Sequence, residues 1–376
     1  MITAFSPEEQ IRYQRHFILE KFGIEGQKKL KNAKVLCVGA GGLGCSALQY
    51  LTASGVGNIT IIDSDSVAES NLHRQILYSS DDIGKNKALV AKQKLQKQNP
   101  FVQIIAIDEN LSKNNVLNLF SSHDVIIDGT DNFATRYLCN DAAVITNKPW
   151  VYGAIYTFQG QVSVFNFNGS ATYRCLFPEP PSPENSPNCA DVGVIGVLPG
   201  IIGTLQAMEC IKLITQIGKP LVNTLLVVDI LTMEFFKLKF KKDQEQTKIT
   251  SLLDNYEEFC SSASCNSNGL KSNIISCEKL YEWLKENKEV QLLDVREYWE
   301  REIAHLGGFH IPLKNLNEQS IKALRKDRPL VVYCHHGIRS LTASRWFYEY
   351  GFKEVYSLEG GIHAWASKID HKIKKY

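Results

Sequence analysis

The chain holds 376 residues, 44% hydrophobic and 22% charged, with a mean hydropathy of -0.17. At roughly 150 residues per domain this makes two or three domains of ordinary globular composition, which excludes a mainly disordered, collagenous or membrane-embedded protein. Lys and Arg number 42 against 40 Asp and Glu, so there is no basic field for nucleic acid or an anionic bilayer, and neither is expected as a partner. The longest apolar stretch, Val192 to Leu205, is interrupted by Gly193, Gly196, Pro199, Gly200 and Gly203; it reads as buried interior, short of the ~20 residues of a span. Met1 to Phe17 places Glu8, Glu9, Arg12 and Arg15 where a signal peptide needs an apolar core. Ten cysteines, several inside apolar runs (Cys37, Cys139, Cys210), read as buried thiols of a reducing compartment. The expected location is cytoplasmic.

In chain order, short β-branched runs at Lys34 to Val38, Ile59 to Asp63, Val102 to Ile107, Asp124 to Asp128 and Trp150 to Ala154 alternate with helical patterns, the signature of an α/β chain with parallel strands and crossover helices. The helix after Gly44 stops at Gly55, and that of Lys85 to Gln98 ends before Asn99-Pro100. From Tyr156 alternating runs (Gln161 to Phe167, Leu225 to Phe240) predict an antiparallel extension, so the sheet is mixed; Pro178 to Pro187 reads as an exposed loop. Periodicity fades over 246–272, read as a linker between a domain of residues 1–245 and a smaller one of 273–376. The latter starts a new α/β pattern: Leu280 to Leu284, Val290 to Val295, Pro329 to Tyr333, Leu341 to Tyr350 and Glu354 to Leu358.

Gly39-Ala-Gly41-Gly42-Leu-Gly44 follows the first strand and opens a helix, so backbone amides and the positive helix end can approach a phosphate; Asp63 ends the next strand, where a ribose hydroxyl would be held. Alone this describes a nicotinamide or flavin dehydrogenase equally well. Asn71, Arg74, Gln75, Lys87 and Asp131 around one crevice are more than a pyrophosphate needs, but suit a triphosphate neutralised by Arg, Lys and a magnesium ion on a carboxylate. With Arg12-Tyr-Gln-Arg15-His, Asp63-Ser-Asp65, Asn71-Leu-His-Arg-Gln75, Lys87 and Thr130-Asp131-Asn132 in order, residues 1 to about 240 resemble the adenylating domain of the MoeB/ThiF family, relatives of the ubiquitin-activating enzymes. The resemblance implies a Rossmann-like domain that binds ATP and magnesium, with Asp63 on the ribose, Asn71, Arg74, Gln75 and Lys87 on the phosphates, Asp131 on magnesium, and Arg15 reaching over from the other subunit of a homodimer. Asp65 is open between a catalytic role and capping a strand end. Cys189, in Asn188-Cys-Ala-Asp-Val-Gly193, matches the family's mobile cysteine that meets the activated partner.

Cys334-His335-His336-Gly337-Ile338-Arg339 follows an apolar strand and precedes a helix, so successive amides point inward, an arrangement that favours a thiolate and then a persulfide. With Asp294-Val-Arg296-Glu297, Gly307-Gly-Phe-His310-Ile-Pro312 and Leu358-Glu-Gly360-Gly361-Ile-His-Ala-Trp365, residues 273 to 376 resemble a rhodanese domain. Arg339 is expected to add positive charge to the loop, and Asp294 and Arg296 to form a structural ion pair beneath it. His335 and His336 could take a metal or a proton, but adjacent side chains in a wrapped loop are expected to diverge, so they are read as polar walls. No structural zinc is expected: relatives build it from two Cys-x-x-Cys pairs, whereas here Thr172 stands where the first thiol would be, three residues before Cys175, and Cys260 and Cys265 are too widely spaced.

The two resemblances together imply ATP-dependent adenylation of the C-terminal glycine of a ubiquitin-like sulfur carrier protein, then sulfur transfer through Cys334, loaded by a persulfide donor such as a cysteine desulfurase, to give a thiocarboxylate. A nucleotide-dependent oxidoreductase with a regulatory C-terminal module and an inactive carrier-binding adaptor are the alternatives. Molybdopterin, thiamine and thiolated-tRNA pathways all stay open as destinations.

Overall fold

The computed structural model describes residues 4–180, 193–262 and 273–374, and the described chain divides into two units with the break after Cys260. In the first, helices α1 (Pro7–Phe17) and α2 (Gly23–Asn32) lead to β1 (Lys34–Val38). Next in order come α3 (Gly42–Ser54), β2 (Asn58–Ile62), α4 (Lys87–Gln98), β3 (Gln103–Ile107), α5 (Val116–Ser121), β4 (Val125–Asp128) and α6 (Phe133–Thr146). The chain continues through β5 (Trp150–Tyr156), β6 (Gln159–Phe165), α7 (Tyr173–Leu176), α8 (Val197–Thr215), β7 (Thr224–Asp229), β8 (Glu234–Lys239) and α9 (Tyr256–Ser262). The sheet runs β3-β2-β1-β4-β5-β6-β7-β8, parallel from β3 to β5 and antiparallel beyond.

Local chemistry sets the ends. Ser6 and Glu9 form a reciprocal capping box on α1, Gly55 stops α3 at φ +82, and the Asn86 side chain caps α4 by accepting from Leu89 N at 2.9 Å. The run Leu225 to Phe240, expected as one strand, is two: Asp229 Oδ1 accepts from the amides of Leu231 and Thr232 at 2.9 and 3.2 Å, folding the chain back at a side-chain turn. All six residues of β8 are exposed. Helix α8 has the length and apolarity of a membrane span, yet it is a core helix, with Leu198, Ile202, Gln206, Ala207, Cys210 and Leu213 buried. A Cβ on its Gly203 would stand 2.3 Å from the Leu43 carbonyl oxygen, so α3 and α8 touch backbone to backbone.

Part of the expected linker belongs to the first unit. Tyr256 is buried and donates its hydroxyl to Asp141 Oδ2 at 2.8 Å, and Phe259 meets Tyr137 edge-on with centroids 5.2 Å apart. Two aromatics in a polar stretch gave no periodic signal.

The second unit contains β9 (Asn273–Ile275), α10 (Cys277–Lys285), β10 (Gln291–Asp294), α11 (Tyr298–Ile303), β11 (Phe309–His310), β12 (Leu330–Tyr333), α12 (Ile338–Glu349), β13 (Val355–Leu358) and α13 (Gly361–Lys368). Its sheet, β11-β10-β12-β13-β9, is parallel throughout. The central strand β12 is wholly buried, as a continuous apolar run in a parallel sheet should be.

Tyr256→Ala in the full chain should lower the stability of the first unit by about 3 kcal/mol, and Tyr256→Phe by about 1–3 kcal/mol, from loss of apolar burial and of a hydrogen bond to a carboxylate. Urea unfolding measures both; a free linker would leave stability unchanged.

Candidate functional site

The glycine-rich turn is built by backbone contacts that admit no side chain. Gly39 lies at φ +91, and a Cβ there would stand 2.7 Å from the Gly129 carbonyl oxygen; a Cβ on Gly44 would stand 2.2 Å from the oxygen of Gly39. Gly41 caps α3 without a side chain, and Gly42 abuts Pro199 of α8. Buried thiols brace the turn from below: Cys37 donates to Gly39 O and Cys45 to Ala40 O, both at 3.3 Å. Tyr78 ties Ala40 O to Lys87 O at 2.9 and 3.2 Å, joining the turn to the start of α4.

Around this turn the predicted residues converge. Asp63 accepts from Ala40 N at 2.7 Å and Asp65 N at 2.8 Å; burial nonetheless pushes its carboxyl above the usual range. The exposed Asp65 carboxylate holds the buried Lys87 ammonium at 2.8 Å. The Asn71 side chain accepts from Ala68 N at 3.3 Å, and Arg74 Nη1 is held by Ser70 O at 2.9 Å and His73 Nε2 at 2.8 Å. Gln75 is buried, its Nε2 3.8 Å from where a Gly41 Cβ would be, and its Oε1 has no hydrogen-bond partner among the described residues. Asp131 is exposed in the loop between β4 and α6.

Sequence reasoning missed Asp128, the last residue of β4. It is fully buried, accepts from Thr130 N at 3.0 Å and Thr130 Oγ1 at 2.6 Å, and its other oxygen has only an ion pair with Arg136 Nε at 3.6 Å. Burial raises its carboxyl, with Arg136 opposing. A carboxylate ending the apolar run Val125 to Ile127 was the available signal. Gln206 of α8 backs this corner, donating to Asp128 O at 2.7 Å.

Arg15 is not brought to the crevice of its own chain. It is exposed on α1, whose Tyr13 packs against Gly55 and accepts from Asn99 Nδ2 at 2.8 Å. That is the opposite end of the 13-residue α3, about 20 Å from the turn at 1.5 Å per residue. Cys189 lies outside the described residues. Cys175 faces Thr172 and the segment from Asp243: its sulfur accepts from Thr172 N and Asp243 N, both at 3.3 Å. Cys260 packs in the aromatic cluster around Tyr137, whereas Asp243 and Gln246 lie beside Cys175 and Thr172; Cys265 lies outside the described residues.

In the second unit Cys334 is buried at the end of β12, and Gly337, at φ +101, donates its amide to Cys334 Sγ at 3.1 Å. Ser340 and Ser357 brace the loop by donating to Gly337 O at 2.9 and 3.3 Å. Asp294 and Arg296 form the buried pair, with Arg296 Nη2 2.7 Å from Asp294 Oδ2. Arg339 adds no uncompensated charge, because it grips the buried Glu300 through two bonds of 2.7 and 2.8 Å. His335 and His336 do not diverge: their rings stack with centroids 4.1 Å apart and planes 9° from parallel. Burial and the neighbouring His336 push His335 down to about 4. The side chain of Ile338 lies outside what is described.

Burial pushes the Glu300 carboxyl up, but Arg339 and the Glu297 amide outweigh it and hold it below the usual range. Its contribution to stability is therefore present above the unfolded carboxyl's pKa and lost as pH falls through the lower, folded one. Arg339→Ala should cost about 3–5 kcal/mol at pH 7. Burial then prevails at Glu300, so the deficit should shrink toward pH 5. Urea unfolding at the two pH values tests this; a deficit independent of pH would exclude the pairing as its cause.

Residues 13–249 match the ThiF family and residues 276–368 the rhodanese-like domain. Over its full length the chain is 42% identical to a probable adenylyltransferase/sulfurtransferase, MoeZ, of Mycobacterium tuberculosis, 97% of which is covered. It is 37% identical to the adenylyltransferase and sulfurtransferase MOCS3 of Anopheles gambiae over 100% of this chain and 90% of that protein, and 47% identical over 68% of its length to the sulfur carrier protein adenylyltransferase of Thermus thermophilus, covering 98% of that protein. Among solved structures, E. coli MccB with ATP superposes on 64% of this chain and 74% of its own, at a TM-score of 0.56 and 25% identity. With one strand-end crevice at a glycine turn and one thiol loop, the chain belongs to the ThiF family, carries a rhodanese-like domain, and is an adenylyltransferase and sulfurtransferase.

Proposed function

We propose that the chain uses ATP to activate the C-terminal carboxylate of a ubiquitin-like sulfur carrier protein and replaces one of its oxygens with sulfur carried on Cys334. The observation that carries this reading is the presence on one chain of a glycine turn that opens a helix, with the Lys87 ammonium held beside it, and of a thiol that accepts a backbone amide. The ionised carboxylate attacks the α-phosphorus of ATP and pyrophosphate leaves; no general base is needed, so these residues orient and neutralise. The exposed Asp131 is a hard oxygen donor that fits magnesium. Bound there, the ion would offset triphosphate charge. Asp65 presents Lys87 toward the turn, and the turn's amides meet the phosphates.

In the second step the terminal sulfur of a Cys334 persulfide displaces AMP from the acyl carbon. A thiolate, for which Cys189 is our candidate, then attacks the Cys334 sulfur: the bond between Cys334 and the transferred sulfur breaks, the thiocarboxylate leaves, and the new disulfide on Cys334 is returned to two thiols by an external dithiol reductant. The described chain resumes at Gly193, and Gly196 packs on the His73 carbonyl beside Arg74. A cysteine desulfurase is the class of donor that would load Cys334. Thiols such as Cys37 and Cys45 that donate to buried carbonyls suit a reducing, cytoplasmic setting. Cys175, satisfied by backbone amides and Thr172, acts as a packing thiol without zinc.

Cys334→Ala should keep carrier-stimulated ATP–pyrophosphate exchange and lose thiocarboxylate formation, whereas Asp131→Ala should lose both by a factor of about 100 or more. Mass spectrometry of the carrier and radiolabel exchange measure the two steps. Exchange without any carrier dependence would sink this function, and no exchange at all would do so in favour of an adaptor.

We further propose a homodimer in which Arg15 serves the partner's crevice. Its distance from its own turn supports this, as do the exposed Ile11, Ile18 and Leu19 along and just past the same helix. Mixing inactive Arg15→Ala and Lys87→Ala subunits should then restore part of the exchange activity, because a mixed dimer keeps one intact site. An active monomer, or no recovery after proven subunit exchange, would refute sharing.

A further inference from the structure

Three imidazoles at the mouth of the Cys334 loop have no part in the chemistry above. Beyond the stacked His335 and His336, His363 in the first turn of α13 lies with its ring centroid 5.0 Å from His336 and 5.8 Å from His335. One ring nitrogen from each of the three lies within 4.8 Å of the others. The backbone fixes this approach. Ile362 N donates to Cys334 O at 2.9 Å and His363 N to His335 O at 3.1 Å. Gly361, at φ +59, leaves room for nothing between, since a Cβ there would stand 2.4 Å from both of those carbonyl oxygens. The Nδ1 of His363 is buried and has no hydrogen-bond partner among the described residues, a costly arrangement unless something supplies the missing bond.

We propose that His335, His336 and His363 form a zinc site at the rim of the persulfide loop, three nitrogens binding the ion and the fourth position open, and that bound zinc obstructs sulfur transfer at Cys334. Three imidazoles plus an exchangeable position is a stable zinc set with nitrogens at about 2.0–2.1 Å, which places ligand atoms about 3.4 Å apart. One nitrogen of each ring already lies within 4.8 Å of the others, so rotation about the side-chain bonds closes the remaining separation. Nitrogen donors also exclude magnesium, whose preference is for oxygen, so the ion needed in the first unit does not occupy this place. His335 adjoins Cys334 in sequence, and Ile362 of the helix that carries His363 donates to the Cys334 carbonyl, so an ion held by the triad would crowd a donor or acceptor that approaches this loop.

The test uses the chelator-treated full chain, titrated calorimetrically with zinc, with cobalt(II) as the spectroscopic probe of a four-coordinate site. Expected are one zinc per chain, unchanged in Cys175→Ser, and affinities more than about 100-fold weaker in His336→Ala and His363→Ala, beyond the loss an outer-shell change causes. Thiosulfate-to-cyanide sulfur transfer should fall about tenfold with the midpoint of zinc binding, while pyrophosphate exchange stays level. Absence of micromolar binding, or zinc that survives His363→Ala, would overturn the site; zinc that binds through the triad without slowing sulfur transfer would overturn the obstruction. The binding arm is independent of the sulfur-transfer reading and the inhibition arm rests on it, so a chain with no sulfur transfer even when free of zinc marks a failure of that reading alone.

Discussion

Contact between bare backbones holds the nucleotide end together. Gly39, Gly44 and Gly129 meet with no room for a Cβ, bringing the ends of β1 and β4 and the start of α3 within one turn of each other. Every polar group around the crevice inherits its position from that meeting: Asp63 through the Ala40 amide, α4 and Lys87 through Tyr78, Asp128 through its place beside Val38 in the sheet register. The first amides of a helix that starts at such a turn have no partner within the helix, which is why this end suits an anion.

The thiol end solves a related problem with charge rather than with glycine alone. Burying Asp294, Arg296 and Glu300 under a loop that must present a sulfur is tolerable only because each has a geometrically matched partner. Arg339 is thereby committed to shaping the loop rather than to lending it charge. Its planar, two-point grip on Glu300 ties α12 to α11.

What could be read from the chain beforehand follows from what is local. Parallel strands are continuous apolar runs, so β1 is found to the residue and β2 to β5 within two; the glycine turn announces itself because its residues are consecutive. Partners chosen by tertiary proximity are illegible. Glu300 and Arg339 are 39 residues apart, Asp128 gains meaning only with Arg136 and Gln206 around it, and His363 joins the histidine pair only because Gly361 lets α13 close on the loop. The stacking of His335 on His336 reversed the expected divergence for the same reason: the loop's path, not residue adjacency, sets where the rings go.

The place of β1 in the sheet also governs how the chain is made. Its five residues pair with β2 on one side almost at once, but Lys34 finds Asp124 across 90 residues, so at about 5–20 residues per second the other edge stays open for roughly 5–20 s of synthesis. During that interval a β-branched, apolar strand edge is bare on the ribosome, the condition under which unpaired strands recruit the wrong neighbours. The eventual arrival of Gly129 against Gly39 therefore closes an assembly hazard at the same moment as it creates a binding site, and holding factors that cover nascent apolar segments should engage this chain most strongly before residue 125 has emerged.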